Sequence, residues 1–219
     1  LERLRRDDLA IKETPWTEGD PDRFEWWAPV TDFDAARWLD ERIMAGSRGF
    51  GRSAIFAGCM ALEAAGLDKL NPIRTGVVLG TAKNGTQAME RAQFDVDRLG
   101  REGVSGKLMI QVWPNMAASQ IAMRWKLHGP CLTFSTACAS SLDAIGYGAR
   151  IVASGQVDVA IVGGAEGGLA EGIGTDGFVP ASAYSRYAYG MGDVTQSDPR
   201  KACLPFDQNR SGMVFGEGA

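Results

Sequence analysis

Four cysteines and one histidine bound the chemistry open to this chain. Cys59, Cys131, Cys138 and Cys203 form no CxxC pair and no disulfide-dense pattern, which fits a reduced, cytoplasmic setting. Cys138 stands apart from the other three. It lies in the run Ser135-Thr136-Ala137-Cys138-Ala139-Ser140-Ser141, where an apolar, extended segment gives way to small helix-forming residues. A sulfur at such a strand-to-helix turn faces the free N–H groups of the helix start, an environment that suits an anionic nucleophile. The competing reading is a small buried hydrophobe, which is what most free cysteines are, and spacing alone does not choose between the two. His128 is the only imidazole, so a His-rich metal site is excluded and no metal is expected. A papain-like hydrolase is disfavoured because no histidine follows Cys138.

The elements that must hold this turn follow from periodicity and breakers. Residues 1–30, with Pro15, Trp16, Pro21, Trp26, Trp27 and Pro29, read as a surface excursion. The pattern predicts a helix over Asp32–Met44, with Asp32 or Asp34 as N-cap. A second helix is predicted over Arg52–Ala65, with Ile55, Phe56, Cys59, Met60, Leu62 and Ala65 on its apolar face and Gly66 ending it. Thr75–Thr81 reads as a buried strand, Gly85–Gly100 as an exposed helix and Asn115–Trp125 as a small-residue helix. Strand Leu132–Ser135 then leads through Cys138 into helix Ala139–Ser154, with Leu142, Ile145, Ala149 and Val152 as its apolar stripe. Strand Val157–Val162 follows. Strands alternating with helices predict a mostly parallel sheet covered on both faces.

These motifs resemble one family. Gly129-Pro130, the Cys138 run, Ala149-Arg150, Gly155 and Asp158-Val-Ala-Ile-Val-Gly-Gly-Ala-Glu166 look like the nucleophile region of β-ketoacyl synthases. Pro205-Phe-Asp207, Arg210, Gly212 and Gly216-Glu-Gly-Ala219 resemble that family's PFD…R.G…GEGA signature, although Ser211 stands where an aspartate is usual. The resemblance implies an α/β, thiolase-like fold with layered αβαβα architecture and mixed, mostly parallel sheets. Residues 31–219 would cover mainly the first α/β half of it, truncated at both ends; residues 1–30 have no clear match. It implies an acyltransferase that loads an acyl group on Cys138 and joins it to a malonyl-derived carbanion in fatty acid or polyketide synthesis.

Phe178 falls where the family places a phenylalanine near the acyl channel. Trp113, two before Asn115, falls at the far end of the acyl pocket, where a large side chain limits chain length; the alternative is core packing beside Val112 and Pro114. In the family two histidines and a lysine follow the GEGA motif, so these residues alone are not expected to condense. No cofactor is implied. The expected partners are an acyl carrier protein bearing phosphopantetheine-bound acyl and malonyl groups, and a second subunit in a homodimer or heterodimer. The alternative function is a chain-length-determining partner subunit of a heterodimeric synthase; such subunits usually lose the cysteine.

Other signals point elsewhere less well. Gly172-Ile-Gly-Thr-Asp-Gly177 is a literal GxGxxG, but Phe178-Val-Pro180 opposes the helix that a dinucleotide site requires. Gly80–Gly85 lacks the GK[ST] ending of a P-loop. Asp158 and Glu166 read as strand-edge polar residues rather than an acid/base pair. With 23 Lys and Arg against 27 Asp and Glu, a net charge of -4 disfavours nucleic acid as a partner. No run of 18 apolar residues exists, so no membrane span is expected.

Overall fold

The computed structural model describes residues 10–13, 26–30, 38, 49–67, 69–83, 85–167 and 199–219. They belong to two compact units, one of residues 33–168 with 218–219, the other of residues 1–32 with 169–217. The helix expected over Asp32–Met44, the Gly172–Gly177 run and Phe178 lie outside the described residues.

In the larger unit the chain is organised around strand β1, Thr75–Gly80, all six residues of which are buried. It is the middle of a parallel three-stranded sheet, flanked by β2 (Cys131–Phe134) and β3 (Val159–Gly164). A strand buried on both faces needs apolar residues throughout, and Val-Val-Leu supplies them. Alternation sends Val77 and Leu79 to one face and Val78 to the other, into two separate core clusters. The first cluster is filled by helices α1 (Gly49–Ala64) and α4 (Met116–Arg124), through Ile55, Cys59, Leu62, Ala118 and Ile121. Ile55 and Ile121 are fully buried, and burial of that extent contributes about 1.5–3 kcal/mol per side chain. Trp38 closes this side edge-on against Phe56, with ring centroids 4.8 Å apart. Between β1 and α4 lie α2 (Thr86–Leu99) and the short α3 (Leu108–Val112).

The second cluster is covered by α5, Ser140–Ala153, which follows the cysteine turn and packs on β1 and β3. Here the expected face is overturned. Ser140, Ala144, Gly148 and Ile151 are the buried positions, whereas Leu142 is 72% exposed and Ile145 and Val152 are exposed as well. Both sets recur at helical spacing, so periodicity did not separate them. Closeness of approach does, because α5 rests on the glycines of the sheet. A Cβ on Gly80 would run into the Ser140 carbonyl, one on Gly164 into the Ser141 side chain, and one on Gly148 into Val162. Only small residues fit a helix seated that tightly, and the bulky stripe is turned outward.

Strand β3 also begins two residues later than its β-branched run suggests, and ends later, at Gly164. Its glycines pair with Leu79 and Gly80, so they belong to the ladder despite their poor strand propensity. Asp158 sits at the entry instead, its N–H donating to Arg74 O (2.8 Å) and its carboxylate paired with Arg74 Nη2 at 2.5 Å. Helix α1 ends as expected at Gly66, whose φ of +65° is the left-handed conformation that glycine adopts freely.

In the smaller unit, Lys12–Glu13 pairs antiparallel with Trp26–Trp27, and Trp27 is buried. The surface excursion expected there therefore contributes a buried aromatic. Ala28 bridges in parallel to Gly216, with Ala28 N–H donating to Phe215 O and Glu217 N–H to Ala28 O.

Candidate active site

The loop between β2 and α5 carries Cys138 on a single 3-10 turn, Ala137–Ala139. Ala137 enters that turn with φ of +54°, left-handed for a residue with a Cβ, a conformation that costs about 1–2 kcal/mol. Its neighbours hold it there. The buried Ser140 hydroxyl accepts the Thr136 N–H at 2.9 Å and donates to Ala137 O at 2.6 Å. Thr136 Oγ1 in turn donates to Asp143 Oδ2, in the first turn of α5, at 2.5 Å. The turn's own backbone hydrogen bonds run from Ala139 N–H to Thr136 O and from Ser140 N–H to Ala137 O. They leave the Cys138 N–H out of the pattern.

The Cys138 residue is exposed and lines a cavity of about 310 Å³. Gly80, Thr81 and Ala82, leaving β1, form one wall. Gly164 to Glu166, leaving β3, form a second, with Gly218 and Ala219 alongside. The parallel topology makes this possible, since the carboxyl ends of β1, β2 and β3 all open on the same side. Glu166 is tied in twice. Its carboxylate accepts the Thr81 hydroxyl, the Ala82 N–H at 3.1 Å and the Lys83 N–H at 2.9 Å. Its backbone exchanges hydrogen bonds with Gly218 at 2.9 and 3.0 Å.

The other cysteines differ in kind. Cys59 is buried in the α1/α4 core, and burial pushes its thiol up against the opposing pull of Arg124. Cys131 is exposed as a residue at the sheet edge. Desolvation of its thiol nevertheless raises it, opposed by a hydrogen bond with Ser119. Cys203 is exposed in the smaller unit. His128 is exposed and donates its backbone N–H to Pro72 O at 2.8 Å.

Of the two predicted site residues that are described, Cys138 and Trp113, Cys138 lines this cavity and Trp113 does not. Trp113 caps the C-terminus of α3, 51% exposed, with its N–H on Met109 O; it is in neither the cavity wall nor the core clusters. Three residues were not anticipated. Ser140 was read only as part of the motif, Gly80 as the end of a strand and Glu166 as an edge residue. The small-residue run Cys-Ala-Ser-Ser and the Gly-Gly-Ala-Glu end of β3 were the available signals. Among the described residues no group of three or more His, Cys, Asp or Glu could hold a metal ion, and no helix is long and apolar enough to cross a membrane.

A parallel sheet covered by helices, with the cysteine turn at its open end, is the arrangement of a thiolase-like α/β fold, and solved ketosynthases share it. The same fold occurs in a β-ketoacyl synthase from Burkholderia phymatum, with a TM-score of 0.78 and 27% identity over 95% of this chain and 50% of that one. It also occurs in a type II PKS acyl-carrier protein complex with its ketosynthase, with a TM-score of 0.64 and 26% identity over 72% of this chain and 46% of that one. The family model for the β-ketoacyl synthase N-terminal domain matches residues 50–219, and the chain belongs to that family. It is 32% identical over 192 residues to 3-oxoacyl-[acyl-carrier-protein] synthase 2 of Vibrio cholerae, across 87% of this chain and 44% of that protein. The chain spans about half the length of the curated relatives it matches.

Proposed function

We propose that Cys138 is the acyl-accepting nucleophile of a condensing enzyme of fatty acid or polyketide synthesis. The observation that carries this reading is an exposed cysteine on a stapled, strained turn, lining a cavity walled largely by small residues. In the proposed step the Cys138 thiolate attacks the carbonyl carbon of an acyl thioester. The carrier's sulfur leaves as a thiolate and takes up a proton, and the acyl group remains on Cys138. The Cys138 N–H, unused by the turn, is the donor nearest to hand for the developing oxyanion. Malonyl decarboxylation and carbon–carbon bond formation need further groups, since the described residues lining the cavity include no histidine or lysine.

The acyl donor fits a carrier protein with a phosphopantetheine arm, the kind of partner named for the type II ketosynthase relative. Retention of Cys138 favours a condensing subunit over a chain-length-determining partner, whether the synthase is a homodimer or a heterodimer. By resemblance Trp113 limits acyl length. Trp113 itself lies outside the cavity wall, so this assignment rests on resemblance alone. Phe178 is assigned to the acyl channel by resemblance alone.

The test is to incubate the full chain with an acyl thioester and weigh its peptides. Acyl mass is expected on the Cys138 peptide, lost in Cys138→Ala and kept in Cys131→Ala. Acyl mass on another residue, or equal loss in Cys131→Ala, refutes the assignment.

A further inference from the structure

Glu166 is an acidic side chain beside the Cys138 cavity, and its surroundings argue against proton transfer. Oε1 accepts both the Thr81 hydroxyl and the Ala82 N–H, and Oε2 accepts the Lys83 N–H. Both oxygens thus accept hydrogen bonds from one stretch of chain, the three residues that leave β1 for α2. That stretch is fixed at its start as well, because Thr81 N–H donates to Phe134 O (3.1 Å) and Ala165 N–H to Gly80 O (3.0 Å). At its far end Gly85 lies so close to Gln111 and Val112 that no Cβ would fit. Thr81–Lys83 thus leaves the cavity wall under the Glu166 carboxylate, and Gly85 lies against the end of α3. Charged acceptors make the stronger hydrogen bonds, so a carboxylate here holds the segment more firmly than an amide would.

We propose that Glu166 is a positioning residue: it holds Thr81–Lys83 as the wall along which the acyl chain reaches Cys138, and thereby sets which acyl thioesters load. This rests on Cys138 as the acyl acceptor. Glu166→Gln keeps one carbonyl acceptor but presents an amide donor to the remaining N–H; Glu166→Ala removes the acceptors for the Thr81 hydroxyl and the Ala82 and Lys83 N–H groups. Loss of a hydrogen bond to a charged group is worth about 1.5–3 kcal/mol, so effects of about tenfold or more are expected.

The experiment follows three quantities in the full chain and both variants. They are amide exchange at Ala82 and Lys83 against Val78 and Ile161, alkylation of Cys138 by iodoacetamide, and transfer of acyl groups from acetyl-CoA and octanoyl-CoA to Cys138. In Glu166→Ala the Ala82 and Lys83 amides should exchange at least about tenfold faster while Val78 and Ile161 hold. Iodoacetamide, too small to need the wall, should react within about twofold of the unchanged chain, while octanoyl transfer falls about tenfold and acetyl transfer much less. Glu166→Gln should recover part of both effects, and it carries the test alone if the alanine variant does not fold. Unchanged exchange at Ala82 and Lys83, equal loss for both acyl groups, or no recovery by glutamine overturns the proposal. Failure of the unchanged chain to load Cys138 overturns the nucleophile assignment instead, because the exchange rates report on the clamp by themselves.

Discussion

Two glycine-to-alanine substitutions, one in β1 and one in α5, should move stability in opposite directions. Gly146 lies inside α5 with nothing within 4 Å of where a Cβ would stand. Alanine there gains helix propensity, about 0.8–1.0 kcal/mol relative to glycine. At about 2–4 °C per kcal/mol for a chain of this size, melting should rise by roughly 2–4 °C. Gly80 is the opposite case. Its Cβ would fall about an ångström inside the 3.4–4 Å of ordinary contact with the Ser140 carbonyl and the Ser141 amide nitrogen. These are backbone atoms of the first turn of α5, so no rotamer change relieves the clash and the helix itself must shift. Overpacking costs about 1–3 kcal/mol, with the upper end expected where backbone must move. Restriction of the unfolded chain returns about 0.4–1 kcal/mol. The net is a loss of about 2 kcal/mol, or roughly 4–8 °C. A shift of α5 also carries Ser140 away from Thr136 and Ala137, so Gly80→Ala should alter the alkylation rate of Cys138 and Gly146→Ala should not. Calorimetry and timed alkylation of each variant settle the matter. A Gly80→Ala protein as stable as its parent, with Cys138 reacting at the parental rate, refutes the claim that glycine seats this helix.

Ser140→Ala removes an acceptor for the Thr136 N–H and a donor to Ala137 O in a buried place, so a loss of about 1–3 kcal/mol is expected in urea titration. Ser140→Cys, which keeps a weaker donor and acceptor, should lose less. Burial raises the Cys59 and Cys131 thiols, which lowers their thiolate fraction near neutral pH. Peptide mapping after brief iodoacetamide treatment at pH 7 should therefore label both weakly, with Cys131 labelling climbing as the pH passes its raised value; strong labelling of Cys59 in the folded chain would contradict its burial. Arg74 holds the Asp158 carboxyl below its ordinary value of 3.8, first by hydrogen bonding. The pair's contribution is thus present above about pH 4 and lost as pH falls through the lowered value. Both side chains are exposed, so Asp158→Asn should change stability little and less still in high salt, as a denaturation series at two ionic strengths would show.

Much of the fold was legible because local rules and tertiary demands agreed. The apolar, β-branched run Thr75–Thr81 reads as a buried strand and Thr75–Gly80 is one, and the Gly66 stop matches the end of α1 within two residues. The strand-to-helix change that singled out Cys138 is likewise a local signal. What was hidden depends on distances between segments far apart in sequence. The face of α5 is set by Gly80 and Gly164, which lie on β1 and β3. The role of Glu166 is set by a loop some 85 positions upstream, and nothing in Gly-Gly-Ala-Glu indicates that its carboxylate turns back over Thr81. Trp113 shows the limit of reasoning from size alone, since neither a core nor a cavity position describes a half-exposed cap.

The hidden features share one physical origin. The tight turn that bears Cys138 has its neighbours close, and closeness excludes side chains. Gly80, Gly148 and Gly164 let α5 lie almost on the sheet, so Cys138, just before it, lines a cavity with the carboxyl ends of β1 and β3. Between β2 and α5 the chain bends at Ala137 with a positive φ. The Ser140 hydroxyl then offsets the strain by satisfying one group on each side of the bend. Strain of about 1–2 kcal/mol persists only where surrounding structure over-determines it. Here two glycine-lined strands, one buried hydroxyl and one carboxylate-anchored loop supply that constraint, and all of them meet within the cavity that Cys138 faces.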